Sequence, residues 1–215
     1  MGHLSQGYKS IKGQNTIFFI DKAKVPKGKR VTYARIVCTI RPQKAETHRV
    51  RLTAGGNLVS HNSITSIPTA AITTIKAYWN SVISSPGSKY ATIDIKHFYL
   101  NSKLEDYEYM KIHKSLLPQE FIDLYNLQSL IGEDDFLYIE IRRGIYRLPQ
   151  AGRLAHDELV QHLSSHGYAL VKFTPGLWTN TILGNIFTLV VDDFGIKYQS
   201  LDHLYHLKEA LETKY

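Results

Sequence analysis

The chain has 215 residues, 43% hydrophobic and 21% charged, enough for one generous domain or two small ones around a real core. No apolar run approaches the roughly 18 residues that would span a bilayer, and no basic start leads into an apolar segment, so a membrane-spanning or secreted protein is not expected. The net charge of +7 is unevenly placed: residues 1–60 hold twelve Lys and Arg against Asp21 and Glu46, a local +10 that leaves −3 for the remainder, which suggests a polyanion-binding front on an acid-bearing body.

Residues 1–30 read as an irregular basic segment with one apolar run, Ile17 to Ile20, long enough for a short strand. Val31 to Ile40 alternates, with Tyr33, Arg35 and Val37 on one face and Ala34, Ile36 and Cys38 on the other. Cys38 is the single cysteine, which excludes an internal disulfide and a cysteine-based zinc site and fits a reducing, intracellular compartment. His48 to Thr53 puts Arg49 and Arg51 on one side and Val50 and Leu52 on the other, so the two runs form a hairpin with a basic face, ended by Gly55-Gly56-Asn57. Pro68 is expected to open a helix carrying Ala71, Ile72, Ile75, Tyr78, Trp79, Val82 and Ile83 at helical spacing, and Pro86-Gly87 to stop it.

Lys89 to Ile95 reads as a strand, followed by candidate strands at Tyr107–His113 and Phe136–Arg143 with a Leu-rich, partly helical segment between them. Gln150 to Ser165 is helical, with Ala151, Leu154, Ala155, Leu159 and Leu163 inward and Gly167 as its stop. A hairpin over 186–198 and a terminal helix from Leu201 to Tyr215 complete the order. Helices and strands are mixed without a steady βαβ alternation, so the fold class is α+β.

Chemistry concentrates in three acids. Asp192-Asp193 sits at the turn of the 186–198 hairpin, where two adjacent carboxylates repel unless solvated or neutralised by a cation. Asp94 lies near the end of what reads as a buried strand, between Ile93 and Ile95, where an acid is costly unless paired or metal-bound. A strand-end Asp beside an Asp-Asp hairpin can hold divalent metal ions for phosphoryl transfer, and hard carboxylate oxygens suit Mg²⁺. The same acids would also serve a metal-dependent nuclease. His203 and His206 are read as structural, and Trp178 as a core or turn-packing aromatic.

Four blocks, in order, carry a resemblance: His48-Arg49-Val50-Arg51-Leu52-Thr53-Ala54-Gly55-Gly56; Asp94-Ile95-Lys96-His97-Phe98-Tyr99-Leu100-Asn101; Gly144-Ile145-Tyr146-Arg147-Leu148-Pro149-Gln150-Ala151-Gly152; and Val190-Val191-Asp192-Asp193. From about Val31 to Tyr215 the chain resembles the reverse transcriptase of copia-type retrotransposons. The resemblance implies a polymerase palm with an antiparallel sheet and a β-hairpin fingers region over 31–215, ending before a thumb or ribonuclease H module. Another chain carrying those modules is one partner that the resemblance allows. It implies RNA-directed DNA polymerase activity with two Mg²⁺ ions, or Mn²⁺ in their place, acting on dNTPs and a primer annealed to an RNA or DNA template.

Carried over by position, Asp94 and Asp192 would be metal ligands, with the Ile95 carbonyl assisting and Asp193 as the supporting carboxylate. Tyr99 would stack under the deoxyribose, and Gln150 would bind the incoming nucleotide at a helix start. Arg49, Arg51 or Lys44 would contact the triphosphate. Two positions depart from the family pattern: Val190 stands where a Tyr is usual, and Arg147 where a Gly is usual. Arg147 would cost about 1 kcal/mol or more if that position needs φ > 0. The alternative reading is a catalytically inactive remnant that keeps the fold and nucleic-acid binding.

Overall fold

The computed structural model describes residues 15–43, 47–61 and 64–215. In chain order its elements are β1 (Ile17–Ile20), β2 (Val31–Ile40), β3 (His48–Ala54), α1 (Ile72–Ser84), β4 (Lys89–Asp94), β5 (Lys103–His113), α2 (Gln119–Leu124), β6 (Phe136–Arg143), α3 (Ala151–Ser165), β7 (Ala169–Leu170), β8 (Leu177–Asn180), β9 (Asn185–Val190), β10 (Asp193–Tyr198) and α4 (Leu201–Glu212). The fold is α+β, with two sheets rich in antiparallel pairs. The chain divides into two compact units: Met1–Thr65 with Tyr99–Leu154, and Ser66–Phe98 with Ala155–Tyr215. No helix among the described residues is long and apolar enough to cross a membrane.

The first unit is built on a sheet of order β1-β6-β5-β2-β3, antiparallel throughout except for the parallel β5–β2 pair. Period-two alternation sends Ile17, Ala34, Leu52, Met110, Ile112, Leu137, Ile139 and Ile141 to one side, where they are buried together with Ile122 of α2. β2 and β3 form the expected hairpin, with Ile36 opposite Leu52 and Val37 opposite Arg51, so Arg35, Arg49 and Arg51 share the basic face. β1, from the segment before Val31, joins the same sheet through β6. Lys44 lies outside the described residues.

The second unit carries an all-antiparallel sheet of order β4-β10-β9-β8-β7. One face buries Trp178, Phe187, Leu189, Phe194 and Ile196, with the Trp178 and Phe187 rings stacked at 5.9 Å. Trp178 is therefore a core aromatic. The short strands β7 and β8 have no expected counterpart: β7 has only two residues, and β8, unlike the all-apolar Ile17–Ile20, mixes polar and apolar residues over too short a run to mark a strand.

Helix α1 begins at Ile72, four residues later than Pro68 suggested. The Ala70 N–H is committed to the Leu189 carbonyl at 3.1 Å, which keeps the preceding residues extended. Gly176, at φ +72°, lets its turn press against that Ala70 backbone, where a side chain would collide. The apolar face expected of this helix is also mostly open: only Tyr78 is buried, while Ile72, Trp79 and Ile83 are exposed.

Tyr78 explains how α1 is held. Its phenol donates to the Ile186 carbonyl at 2.6 Å and accepts the Lys197 N–H, bridging two residues that face each other across β9 and β10. Burial pushes that phenol's pKa up, so it stays a neutral donor. Lys197 Nζ then donates to the Ser81 carbonyl at 2.9 Å and Ser85 Oγ at 2.8 Å, placing a cation at the carbonyl end of α1. Tyr78→Phe leaves the Ile186 carbonyl and the Lys197 N–H without their shared partner and should cost about 1–3 kcal/mol, read as a lowered urea midpoint of the full chain.

Candidate functional site

The three acids lie in the second unit. β9 and β10 close their hairpin at the pair Val190–Asp193, leaving Val191 and Asp192 as a two-residue turn. Val191 takes φ +61°, a conformation unfavourable for a β-branched residue and ordinarily given to Gly in such turns. Asp193 is thus the first strand residue, and Asp192 alone of the two acids is in the turn.

β10 also pairs with β4, and the register sets Asp193 directly opposite Asp94. The next pair is hydrogen-bonded, the Ile95 N–H donating to the Asp192 carbonyl at 3.2 Å. Alternation along an antiparallel ladder then makes Asp94–Asp193 a non-hydrogen-bonded pair, the kind with Cα atoms about 4.5 Å apart and side chains closest. Both carboxylates are exposed and on one face of the sheet, while Asp192 is half-buried.

The strand of Asp94 corrects one expectation. β4 is an edge strand, and Asp94 is exposed; Ile93 and Ile95 do not enclose it in an interior layer. Its cost is therefore repulsion from Asp193 and not desolvation.

That repulsion is what a cation would relieve. Asp94 and Asp193 present hard oxygen donors at facing strand positions, with Asp192 in the adjoining turn. Among the described residues no group of three or more His, Cys, Asp or Glu side chains is disposed to hold a metal. The arrangement fits Mg²⁺ held through one or two carboxylates, with waters and substrate phosphates completing its shell.

Of the expected nucleotide-handling residues, Arg49, Arg51, Tyr99 and Gln150 lie in the first unit. Tyr146 is central: its carbonyl accepts the Ala54 N–H at 3.1 Å, its ring meets Tyr99 edge-on at 5.7 Å, and the Arg51 guanidinium sits 4.9 Å from its ring centre. Tyr99 and Arg51 are thereby brought together, and both are half-buried. Arg49 is half-buried opposite Thr39. Gln150 immediately precedes α3 and donates through Nε2 to Glu108 at 3.1 Å, while its Oε1 is buried with no hydrogen-bond partner. Tyr146 and Glu108 are the residues that sequence reasoning passed over as site members. Tyr146 belongs to the Gly144–Gly152 block, but nothing local marks Glu108.

Arg147 does adopt the left-handed conformation, at φ +69°. Its carbonyl is packed against Gly56, where any Cβ would overlap it, so the Gly55-Gly56 corner and the 144–150 loop fit only because Gly56 is bare. Gly144 is similarly tight, with an added Cβ falling 2.5 Å from the Tyr99 carbonyl oxygen.

Comparison with protein-family models and with curated proteins yields no match to the chain. The site therefore stands on its own geometry and on the residues of the four blocks.

Arg147→Gly should stabilise the chain by up to about 1 kcal/mol, since an L-residue pays about 1–2 kcal/mol in this region and Gly loses part of that through backbone entropy; thermal unfolding reads it. Asp193→Asn should raise stability by about 0.2–1 kcal/mol in chelator by removing the facing like charge. It should also shrink the thermal shift on adding Mg²⁺. An unchanged Mg²⁺ response in Asp94→Asn and Asp193→Asn alike would count against cation binding at this pair.

Proposed function

We propose that the chain is the palm and fingers portion of an RNA-directed DNA polymerase of the copia-type retrotransposon kind, catalysing template-directed deoxynucleotidyl transfer. The observation that carries this reading is the Asp94–Asp193 pair facing across β4 and β10, with Asp192 in the adjoining hairpin turn. An antiparallel sheet presenting three acids at one end supports a palm assignment for the second unit, and the basic β2–β3 hairpin supports a fingers assignment for the first.

Each residue's role is the one that the resemblance implies for its position. Asp94, Asp192 and Asp193 would hold the divalent ions, which when bound stabilise developing charge on the phosphoryl oxygens. Tyr99, braced by the edge of Tyr146, would meet the sugar and exclude a 2′-hydroxyl. Gln150, whose Nε2 is held by Glu108 at the start of α3, would bind the incoming nucleotide as the resemblance implies. Arg51 and Arg49 on their shared strand face would fork onto phosphate oxygens.

Primer extension with Mg²⁺ and an RNA template tests this directly. The wild type should incorporate dNTPs, and Asp94→Asn and Asp192→Asn should fall to background while binding template normally. Tyr99→Ala should accept ribonucleotides that the wild type rejects. Retained RNA binding without incorporation by the wild type would instead identify an inactive remnant, and nicking without dNTPs, lost in Asp94→Asn, a nuclease.

A further inference from the structure

One side chain of the first unit touches both halves of the proposed nucleotide contact. The Tyr146 ring has the Arg51 guanidinium 4.9 Å from its centre, and it meets the Tyr99 ring at 5.7 Å with the ring planes 88° apart. In the polymerase reading Arg51 takes phosphate and Tyr99 takes sugar, while Tyr146 contacts neither. All three side chains are half-buried, so the cluster sits at the surface of its unit and not in its core.

The backbone fixes Tyr146 from two directions. Its carbonyl accepts the Ala54 N–H, and the residue forms a parallel bridge with Thr53, two positions past Arg51 on β3. On the other side the Gly144 N–H donates to the Ser102 carbonyl at 2.9 Å, and Gly144 packs on the Tyr99 carbonyl too closely for any side chain. The 144–146 segment is thus tied both to the end of β3 and to the turn that carries Tyr99. Arg51 depends on the ring for its orientation. Among the described residues its guanidinium makes no ion pair, and its Nε is buried with no hydrogen-bond partner. Arg142, by contrast, stacks on Phe18 at 3.8 Å but is also bonded to Glu140 at 2.6 Å. A guanidinium held on an aromatic face is oriented without being neutralised, so its positive charge remains for a phosphate.

We propose that Tyr146 is a positioning residue that couples phosphate recognition by Arg51 to sugar recognition by Tyr99. This rests on the polymerase reading for those two roles. The π system of Tyr146 attracts the guanidinium, and its edge-to-face contact restricts the Tyr99 ring. A displacement of the one ring therefore moves the phosphate contact and the sugar contact together.

Single-nucleotide incorporation by the full chain, on a primer annealed to its template in Mg²⁺, tests the coupling. Tyr146→Leu removes the ring and should raise the KM for dNTP about tenfold and cut discrimination against ribonucleotides about tenfold, with kcat for dNTP within about threefold of wild type. Tyr146→Phe should match the wild type, because the ring and not the hydroxyl makes both contacts. Two backgrounds separate positioning from general damage. Tyr146→Leu should no longer change KM in an Arg51→Met background, nor discrimination in a Tyr99→Ala background. Tyr146→Met serves the same cycles if Tyr146→Leu fails to fold. Additive effects in both backgrounds, or wild-type KM and discrimination in Tyr146→Leu, overturn the coupling while a wild type that extends primers keeps the polymerase reading. A wild type that incorporates nothing removes that reading, and the thermal shift given by dNTP with Mg²⁺ then decides. A shift lost in Tyr146→Leu and in Arg51→Met but kept in Tyr146→Phe retains Tyr146 as the residue that positions Arg51; no shift in the wild type overturns the proposal as well.

Discussion

The register between β4 and β10 is the constraint on which the candidate chemistry depends. It opposes Asp94 to Asp193, although the two acids repel, because the other face of the same strands is in the core. Phe194 opposite Ile93 and Ile196 opposite Ala91 are packed there, with Phe194 and Ile196 almost fully buried. Each such side chain contributes about 1.5–3 kcal/mol by burial, against about 0.2–1 kcal/mol for facing like charges. A slip of one residue would reverse every side chain, so burial wins and the acids are held together.

Around this register the backbone adopts conformations that its residues do not favour. Val191 is left-handed at the hairpin turn, and His97, three residues past Asp94, is left-handed at φ +59°. Such conformations persist where surrounding structure over-determines them. Here the Ile95–Asp192 bond and the β9–β10 closure fix both sides of the Asp pair. In the first unit the same logic applies to Arg147, whose carbonyl is locked against the Gly56 backbone. The two units thus each hold a strained non-glycine residue within the segments that carry the proposed activity.

Rigidity on the open face of the second sheet comes from α1. Tyr78 bridges Lys197 and Ile186, and Lys197 in turn satisfies the end of the helix. This docking uses one buried phenol and one ammonium in place of a wide apolar interface, and so it leaves Trp79, Ile72 and Ile83 on the surface. An amphipathic pattern read along the helix predicts burial; the actual attachment buries Tyr78 and half-buries Ile75 and Val82.

Much of the architecture was legible locally. β2, β3 and β6 follow from alternation, α3 from its apolar spacing and the Gly167 stop, and the 186–198 hairpin from strand-forming runs on either side of two acids. The three acids and the Gly144–Gly152 block could be singled out as residues. Other features were not legible, because they are set by partners distant in the chain. The start of α1 is decided by the Ala70–Leu189 bond, the hold on Gln150 by Glu108, and the exposure of Asp94 by the edge position of β4. Residue type and periodicity determined which elements form and which side chains can do chemistry, since both act within a few residues. Which acid faces which, and which strand ends at the edge, was decided only by tertiary pairing, where burial of one sheet face dictates what the other presents.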